Sequence, residues 1–327
     1  MAERSWTVAE ILVTTTDYLA KKDPSCPRLE AELLLSRVLK LNRVNLYVNF
    51  ERVLTPQEIT AYRELVRRRG SHEPVAYILG HKEFYGLDLA VTPATLIPRP
   101  ETEHLVDEAL RLLRRGTKDE KKPSQGLDTA PNAEGFANPE APPESPAPAD
   151  ETPAAPAQPL AADIGTGSGA IALALLSAHQ TLRVLATDVS PEALKVAQEN
   201  AKKHNLADRV FFRQGNLAEP LSGKAFDVVC ANLPYIPDAD MATLSPDVAN
   251  FEPKLALRGG PEGLDLIARL ISTVKPAIKQ GGHLLLEIWP DSVAKLNKLT
   301  QAAGLVPLEP LLDFSSKARI FVARNQA

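Results

Sequence analysis

From residue 160 onward, short apolar runs of strand character alternate with stretches of helical spacing, and this alternation limits the chain to very few folds. Strands are expected at Leu160–Ile164, Arg183–Asp188, Val210–Gln214, 226–232 and 283–288, with helices at Ala170–Ala178, 191–205, 263–279 and 291–303. That order implies an α/β protein with a doubly wound, mainly parallel, Rossmann-like sheet whose ligands sit at the carboxyl ends of the strands. Two closing β runs, near 305–312 and at Ala318–Arg324, are joined through 313–317 and read as an antiparallel hairpin. No internal repeat is visible.

The first seventy residues follow a different rule. Ile11, Leu12 and Leu19, then Leu29, Leu33, Leu34, Val38 and Leu41, then Ile59, Tyr62, Leu65 and Val66 recur at helical spacing, which gives a small all-α domain over 1–73. Its last helix opens with Thr55 as cap and Pro56 in the first turn, and closes at Gly70 after Arg67, Arg68 and Arg69. Over 74–100 the pattern changes to short β-type runs with Gly80 and Gly86 as turn residues, a hairpin and interdomain linker. A helix at 102–115 then enters the α/β domain, 101–327. Within it, 117–159 holds ten of the 28 prolines and one aromatic, Phe136. Such a segment buries too little apolar surface to offset its ordering entropy, so a disordered insertion emerging away from the site is expected.

The same segment carries eight acidic and three basic side chains, so the formal charge of −4 conceals a nearly neutral body. A neutral body argues against an enzyme that grips duplex nucleic acid through many phosphates. Arg63 with Arg67, Arg68 and Arg69 is the nearest basic cluster; it reads as a solvated helix end, with a docking surface for an acidic partner as the alternative. No apolar run approaches the roughly 18 residues of a membrane helix, and residues 1–10 lack a secretory layout, so a soluble, cytoplasmic, monomeric protein is expected. Cys26, Cys230 and six histidines show no ligand spacing, and no metal is expected.

Asp163-Ile164-Gly165-Thr166-Gly167-Ser168-Gly169 ends the first strand of the alternation and opens the next helix. Glycines there allow a tight turn and close approach to a ligand, beside the free N–H groups of a helix start. Asp188, at the end of the second strand, is placed to accept from ribose hydroxyls. Taken alone the loop also fits a dinucleotide fingerprint, Gly165-x-Gly167-x-x-Ala170. Three features tilt it toward S-adenosylmethionine: Asp163, for the methionine ammonium; Asn216 and Leu217 after the third strand, for the adenine; and Asn232-Leu233-Pro234-Tyr235 after the fourth.

That tetrapeptide is a site for an NH2 group. The Asn232 side chain and the Leu233 carbonyl can each accept one hydrogen of a planar amide or amine, with Pro234 fixing the backbone and Tyr235 offering a ring face. A plain strand-to-loop turn is the alternative for the motif in isolation. The combination across four successive strand ends is more specific than any one member.

With these motifs in place the chain resembles the HemK-type glutamine methyltransferases that modify peptide chain release factors. The resemblance covers nearly everything outside 117–159 and includes Pro74-Val75-Ala76-Tyr77-Ile78-Leu79-Gly80, Glu83-Phe84-Tyr85-Gly86-Leu87, Leu96-Ile97-Pro98-Arg99-Pro100-Glu101-Thr102-Glu103 and Phe251-Glu252-Pro253. It implies a helical domain that helps position a release factor, a domain that binds S-adenosylmethionine, and the Gln of a Gly-Gly-Gln motif as substrate. Glu101 and Glu103 read equally as a capped helix start. Two positions depart from the family pattern: Leu233 stands where Pro is usual, and Trp289-Pro290 follow Glu287-Ile288 where Gly is frequent. Competing readings are a methyltransferase for the exocyclic amines of adenine or cytosine, a non-catalytic nucleotide-binding adaptor, and a nicotinamide dehydrogenase.

Overall fold

The computed structural model describes residues 5–22, 26–119, 158–313 and 315–326; most of the expected insertion, 120–157, lies outside the described residues. The N-terminal helices are α1 (Val8–Ala20), α2 (Pro27–Leu39), α3 (Arg43–Val48) and α4 (Pro56–Gly70). They enclose a core that includes Leu12, Leu34, Leu35, Leu46 and Tyr62. Thr55 caps α4 in a reciprocal box with Glu58: the Thr55 hydroxyl accepts from the Glu58 N–H and the Glu58 carboxylate from the Thr55 N–H.

Gly70 ends α4 for a reason other than turn chemistry. It is still helical, and a Cβ there would lie 2.3 Å from the Tyr18 hydroxyl, so the missing side chain admits Tyr18 against the helix. The basic cluster is also engaged internally. Arg67 pairs with Glu64, Arg68 with Glu73, and the buried Arg69 with Glu30, which leaves these three guanidinium groups already matched by carboxylates.

The expected β run after Pro74 begins instead as a short helix, α5 (Val75–Leu79). Pro74 lies just before its first turn, where a missing N–H costs nothing, and Gly80 takes φ +79° as its C-cap. The hairpin follows as β1 (His81–Phe84) and β2 (Leu87–Ala90), turning through Tyr85 and Gly86 at φ +50° and +75°. Asn200 holds its second strand at both backbone groups, accepting from Ala90 N–H at 2.7 Å and donating to the Ala90 carbonyl at 3.0 Å.

The main sheet contains β3 (Leu160–Ile164), β4 (Arg183–Asp188), β5 (Val210–Gln214), β6 (Phe226–Ala231), β7 (Ile278–Glu287), β8 (Val306–Pro307), β9 (Leu311–Leu312) and β10 (Ala318–Arg324). Their order is β5-β4-β3-β6-β7-β10-β8, with β9 also paired to β10; β3 to β7 run parallel and β10 runs antiparallel to its neighbours. The helices that cover the sheet are α6 (Glu103–Asp119), α7 (Ala170–Ala178), α8 (Pro191–Lys203), α10 (Asp265–Val274) and α11 (Val293–Ala302), while the short α9 (Pro246–Phe251) packs its Phe251 against Tyr77, Val91 and Ile97. The helix expected over 263–279 is shorter because Pro276 lacks the N–H that would continue it, and the chain passes through a 3₁₀ turn directly into β7.

Alternate residues of each strand feed two separate cores. Ala161, Val228, Cys230, Leu285, Ile320 and Val322 pack with α6, α7 and the hairpin, whereas Ala162, Val229, Ala231, Leu284, Leu286, Phe321 and Ala323 pack with α10 and α11. The strand order reverses between β3 and β6, which opens a crevice at their carboxyl ends. Among the described residues, no helix is long and apolar enough to cross a membrane, and no His, Cys, Asp and Glu cluster has metal-binding geometry.

Candidate active site

A cavity of about 470 Å³ occupies that crevice. Its walls include Gly165, Thr166, Gly167 and Ser168 from the loop after β3, Asp188 after β4, Asn216 and Leu217 after β5, and Asn232, Leu233 and Pro234 after β6. Thr95, Arg99 and Thr102 close it from the segment before α6. Asp163, Gly169 and Tyr235 are not among the lining residues.

The loop is folded by its own backbone. Gly165 and Thr166 both donate to the Thr187 carbonyl, at 2.8 and 2.9 Å, which draws the turn over β4. Gly165 adopts φ +72°, and a Cβ there would come within 3.2 Å of Leu233 Cδ2. Gly169 caps α7 at φ +86°. Asp188 accepts from the Gly167 N–H through Oδ2 and from the Ser190 N–H through Oδ1, each at 2.9 Å. Its carboxylate is therefore held at the cavity edge with acceptor capacity remaining on both oxygens.

Asp163, expected to take the methionine ammonium, lies outside the cavity lining. It is fully buried; its Oδ2 accepts from the Thr166 hydroxyl at 2.6 Å and from the Ala172 N–H at 3.1 Å, so it ties the loop to α7, and its Oδ1 has no partner. Burial pushes its carboxyl up to about 7, opposed by those two hydrogen bonds and reinforced by the Asp188 charge. A carboxyl raised in the folded state binds a proton that the unfolded chain has released. Its contribution to stability is thus present below about pH 4 and is lost as pH rises toward 7. Relative to Asp163→Asn, the unfolding free energy of the native chain should fall by about 1.4 kcal/mol per pH unit across that window, read by urea denaturation at a series of pH values. Parallel profiles would show that Asp163 stays ionised.

The tetrapeptide after β6 is held from two sides. Ala231 pairs with Leu286 in the parallel register of β6 and β7, so Asn232 lies beside Glu287. Asn232 Nδ2 donates to Glu287 Oε2 at 2.9 Å and to Thr102 Oγ1 at 3.3 Å. The Thr102 hydroxyl donates to the same Glu287 oxygen at 2.6 Å, and the Tyr235 hydroxyl to Glu287 Oε1 at 2.8 Å. Asn232 Nδ2 is therefore turned toward these two oxygens behind the cavity wall. Burial raises the Glu287 carboxyl above the ordinary range, against the lowering effect of the Thr102 and Tyr235 hydroxyls; burial likewise raises the Tyr235 phenol. Trp289, one of the departures from the family pattern, lies against Tyr235 with ring centroids 6.4 Å apart.

On the other side, the segment 257–263 wraps the backbone of Pro234 to Ile236. Ile236 donates to the Leu257 carbonyl at 3.1 Å and Gly259 to the Ile236 carbonyl at 2.9 Å. A Cβ at Gly259 would lie 2.8 Å from the Pro234 carbonyl oxygen, and one at Gly263 only 2.2 Å from that of Tyr235. The segments quoted for the family resemblance also meet here. Buried Glu252 accepts from the Ile97 N–H and pairs with Arg99, and the Tyr77 hydroxyl donates to the Thr95 carbonyl at 2.6 Å. Glu103 accepts from the Tyr85 N–H at 3.0 Å, whereas Glu101 is exposed. Thr102, Glu287, Gly259 and Gly263 are site residues that sequence reasoning missed; aligning the ends of β6 and β7 would have exposed the Asn232–Glu287 pair.

Residues 10–80 match the family described as PrmC N-terminal domain, and residues 161–251 match a methyltransferase domain. The release factor glutamine methyltransferase of Geobacter sulfurreducens is 40% identical over 86% of this chain and 84% of its own length. That of Rhodopirellula baltica is 36% identical over 98% of each chain. Among solved structures, the hMettl16 catalytic domain in complex with a MAT2A 3'UTR hairpin superposes with a TM-score of 0.51 at 14% identity, covering 84% of this chain and 85% of that one; the likeness is one of fold. On the strength of relatives this similar over nearly their full length, the chain belongs to the release factor glutamine methyltransferase family.

Proposed function

We propose that this protein transfers a methyl group from S-adenosylmethionine to the side-chain amide nitrogen of the Gln in the Gly-Gly-Gln motif of peptide chain release factors, and so modulates translation termination. The reading rests chiefly on the Asn232 carboxamide. With Nδ2 turned toward Glu287 and Thr102, Oδ1 is the atom of the carboxamide that would accept at the cavity, and an acceptor there suits a substrate NH2.

The cavity suits the cofactor on its own evidence: its volume is that of a small-molecule site, a close-turning glycine loop forms part of its wall, and a preorganised carboxylate stands at its edge. Asp188 would hold the ribose, Gly165 to Gly169 the approach to the donor, Asn216 and Leu217 the adenine, and Asp163 the shape of the loop. When bound, S-adenosylmethionine supplies an electrophilic methyl on a positively charged sulfur.

An amide nitrogen is a poor nucleophile because its lone pair is delocalised into the carbonyl. Asn232 Oδ1 and the Leu233 carbonyl would each accept one N–H and favour the more positive nitrogen of the transition state. Tyr235 would give the amide a face to rest on, and its hydroxyl bond to Glu287 fixes that ring. Orientation of this kind contributes several kcal/mol, on the order of that seen in well-aligned intramolecular reactions. Forming the N–C bond would break the S–C bond and leave the sulfur as a neutral thioether, and one of the amide nitrogen's own protons can leave to water once the nitrogen carries the methyl.

The helical domain 1–73 would position the release factor, the protein acting as a monomer in the cytoplasm. Incubation with purified release factors and labelled S-adenosylmethionine, followed by mass mapping, should place the methyl on the motif Gln. Label on a nucleic acid base, or none on the factor, would exclude the reading. Asp188→Ala should weaken S-adenosylmethionine binding by about 1–3 kcal/mol, the cost of unmatched hydrogen-bonding groups, as measured by calorimetric titration. An unchanged affinity would remove the ribose assignment.

A further inference from the structure

Glu287 is a buried carboxylate at 2% exposure whose hydrogen-bond partners are three neutral groups: Thr102, Asn232 and Tyr235. No lysine, arginine or histidine forms an ion pair with it among the described residues; Arg319, whose charge opposes its protonation, is paired with Asp313. Glu252, at 4% exposure in the same region, has Arg99 as a direct partner. Burying a charge without a counter-ion is destabilising, and an apolar side chain would fill the same space more cheaply. Fold stability therefore does not account for Glu287, whereas the identity of its partners does.

Each contact restricts a group of the candidate active site. A carboxylate only accepts, so the Asn232 side chain facing it must present Nδ2 and turn Oδ1 away. Opposite a donor, or without a partner, the amide is free to rotate by half a turn and place NH2 where an acceptor is needed. The Thr102 hydroxyl gives its proton to Glu287 and is thereby left to accept from Asn232 Nδ2 as well. The other carboxylate oxygen fixes the Tyr235 hydroxyl.

We propose that Glu287 is a positioning residue for methyl transfer: it locks the Asn232 carboxamide with Oδ1 toward the cavity and anchors the Tyr235 ring, and it does so only as a carboxylate. This deepens the proposed function and rests on its assignment of Asn232 as the acceptor for the substrate amide. Protonation would convert one Glu287 oxygen into a donor and release the amide. Besides its hydrogen-bond partners, the charges that bear on this group are Glu101, which favours the proton, and Arg319, which disfavours it. The rate at saturating donor and factor should accordingly fall on the acid side, with a midpoint above the ordinary carboxylate range.

The test uses the full chain, a purified release factor with its Gly-Gly-Gln motif, and labelled S-adenosylmethionine. E287Q offers one acceptor and one donor to the same partners and leaves the Asn232 orientation mixed. It should lower kcat by about tenfold or more, with donor affinity within about twofold of the native chain, and flatten the acid limb of kcat. E287D, which keeps the charge, should retain that limb. Native kcat in E287Q with the limb intact would overturn the proposal. Where E287Q is too unstable to assay, a native kcat that stays flat down to about pH 4.5 would overturn it equally, the ordinary carboxyl titrating near there. Absence of any Gln methylation by the native chain would instead defeat the proposed function itself.

Discussion

Asn232→Ala should reduce Gln methylation by about 10²–10³-fold or more while S-adenosylmethionine still binds with near-native affinity. The variant removes the acceptor that orients the nucleophile, an effect of the size seen when a single preorganised donor or acceptor is deleted from a transition-state site. It also leaves the Glu287 carboxylate facing an empty space, with the Thr102 and Tyr235 hydroxyls as its remaining partners. Donor titration alongside a single-turnover methyl-transfer assay separates binding from chemistry. Near-native turnover would take the central role away from Asn232, and a matching loss of donor affinity would reassign it to the cofactor.

Gly263→Ala is expected to be almost as disruptive from outside the cavity. Gly263 sits at φ +72°, where a Cβ is strained, and that Cβ would collide with the Tyr235 carbonyl oxygen at 2.2 Å. Left-handed strain and overpacking against backbone together amount to about 2–4 kcal/mol. Either the segment 257–263 or the tetrapeptide must move, and the tetrapeptide carries the substrate acceptors. A fall in unfolding free energy of that size, with turnover reduced more than donor affinity, is the expected pattern; an unchanged urea midpoint and full activity would show that the segment yields at no cost.

The sheet was legible because its signals are local. Five parallel strands and their helices follow from runs of Val, Ile, Leu and Ala broken by Gly165–Gly169, Pro191 and the turns, and Thr55 with Pro56 marks the start of α4 in two residues. Val75–Leu79 was misread as β because five apolar residues fit either period; Pro74 and Gly80 on its flanks serve a helix and a turn equally. Asn232, Asp188 and the glycine loop could be placed at one edge from strand order alone. Thr102 and Glu287 could not, because they reach Asn232 from 130 and 55 residues away and their role depends on which atom of an amide faces which oxygen. The expectation for Asp163 rests on chain position, and in space its Oδ2 meets Thr166 and the start of α7. Gly259 and Gly263 read as turn glycines, whereas what fixes them is another backbone passing at contact distance.

Helix α6 begins one residue after Thr102 and, at seventeen residues, carries the chain about 25 Å before Asp119. The next described strand starts at Leu160 and reaches the glycine loop only at its far end. Both junctions of the 120–157 stretch thus lie at the amino-terminal rim of the parallel strands, opposite the crevice. Cargo spliced between those junctions, such as a fluorophore or an affinity handle, would report on the enzyme without crowding its chemistry.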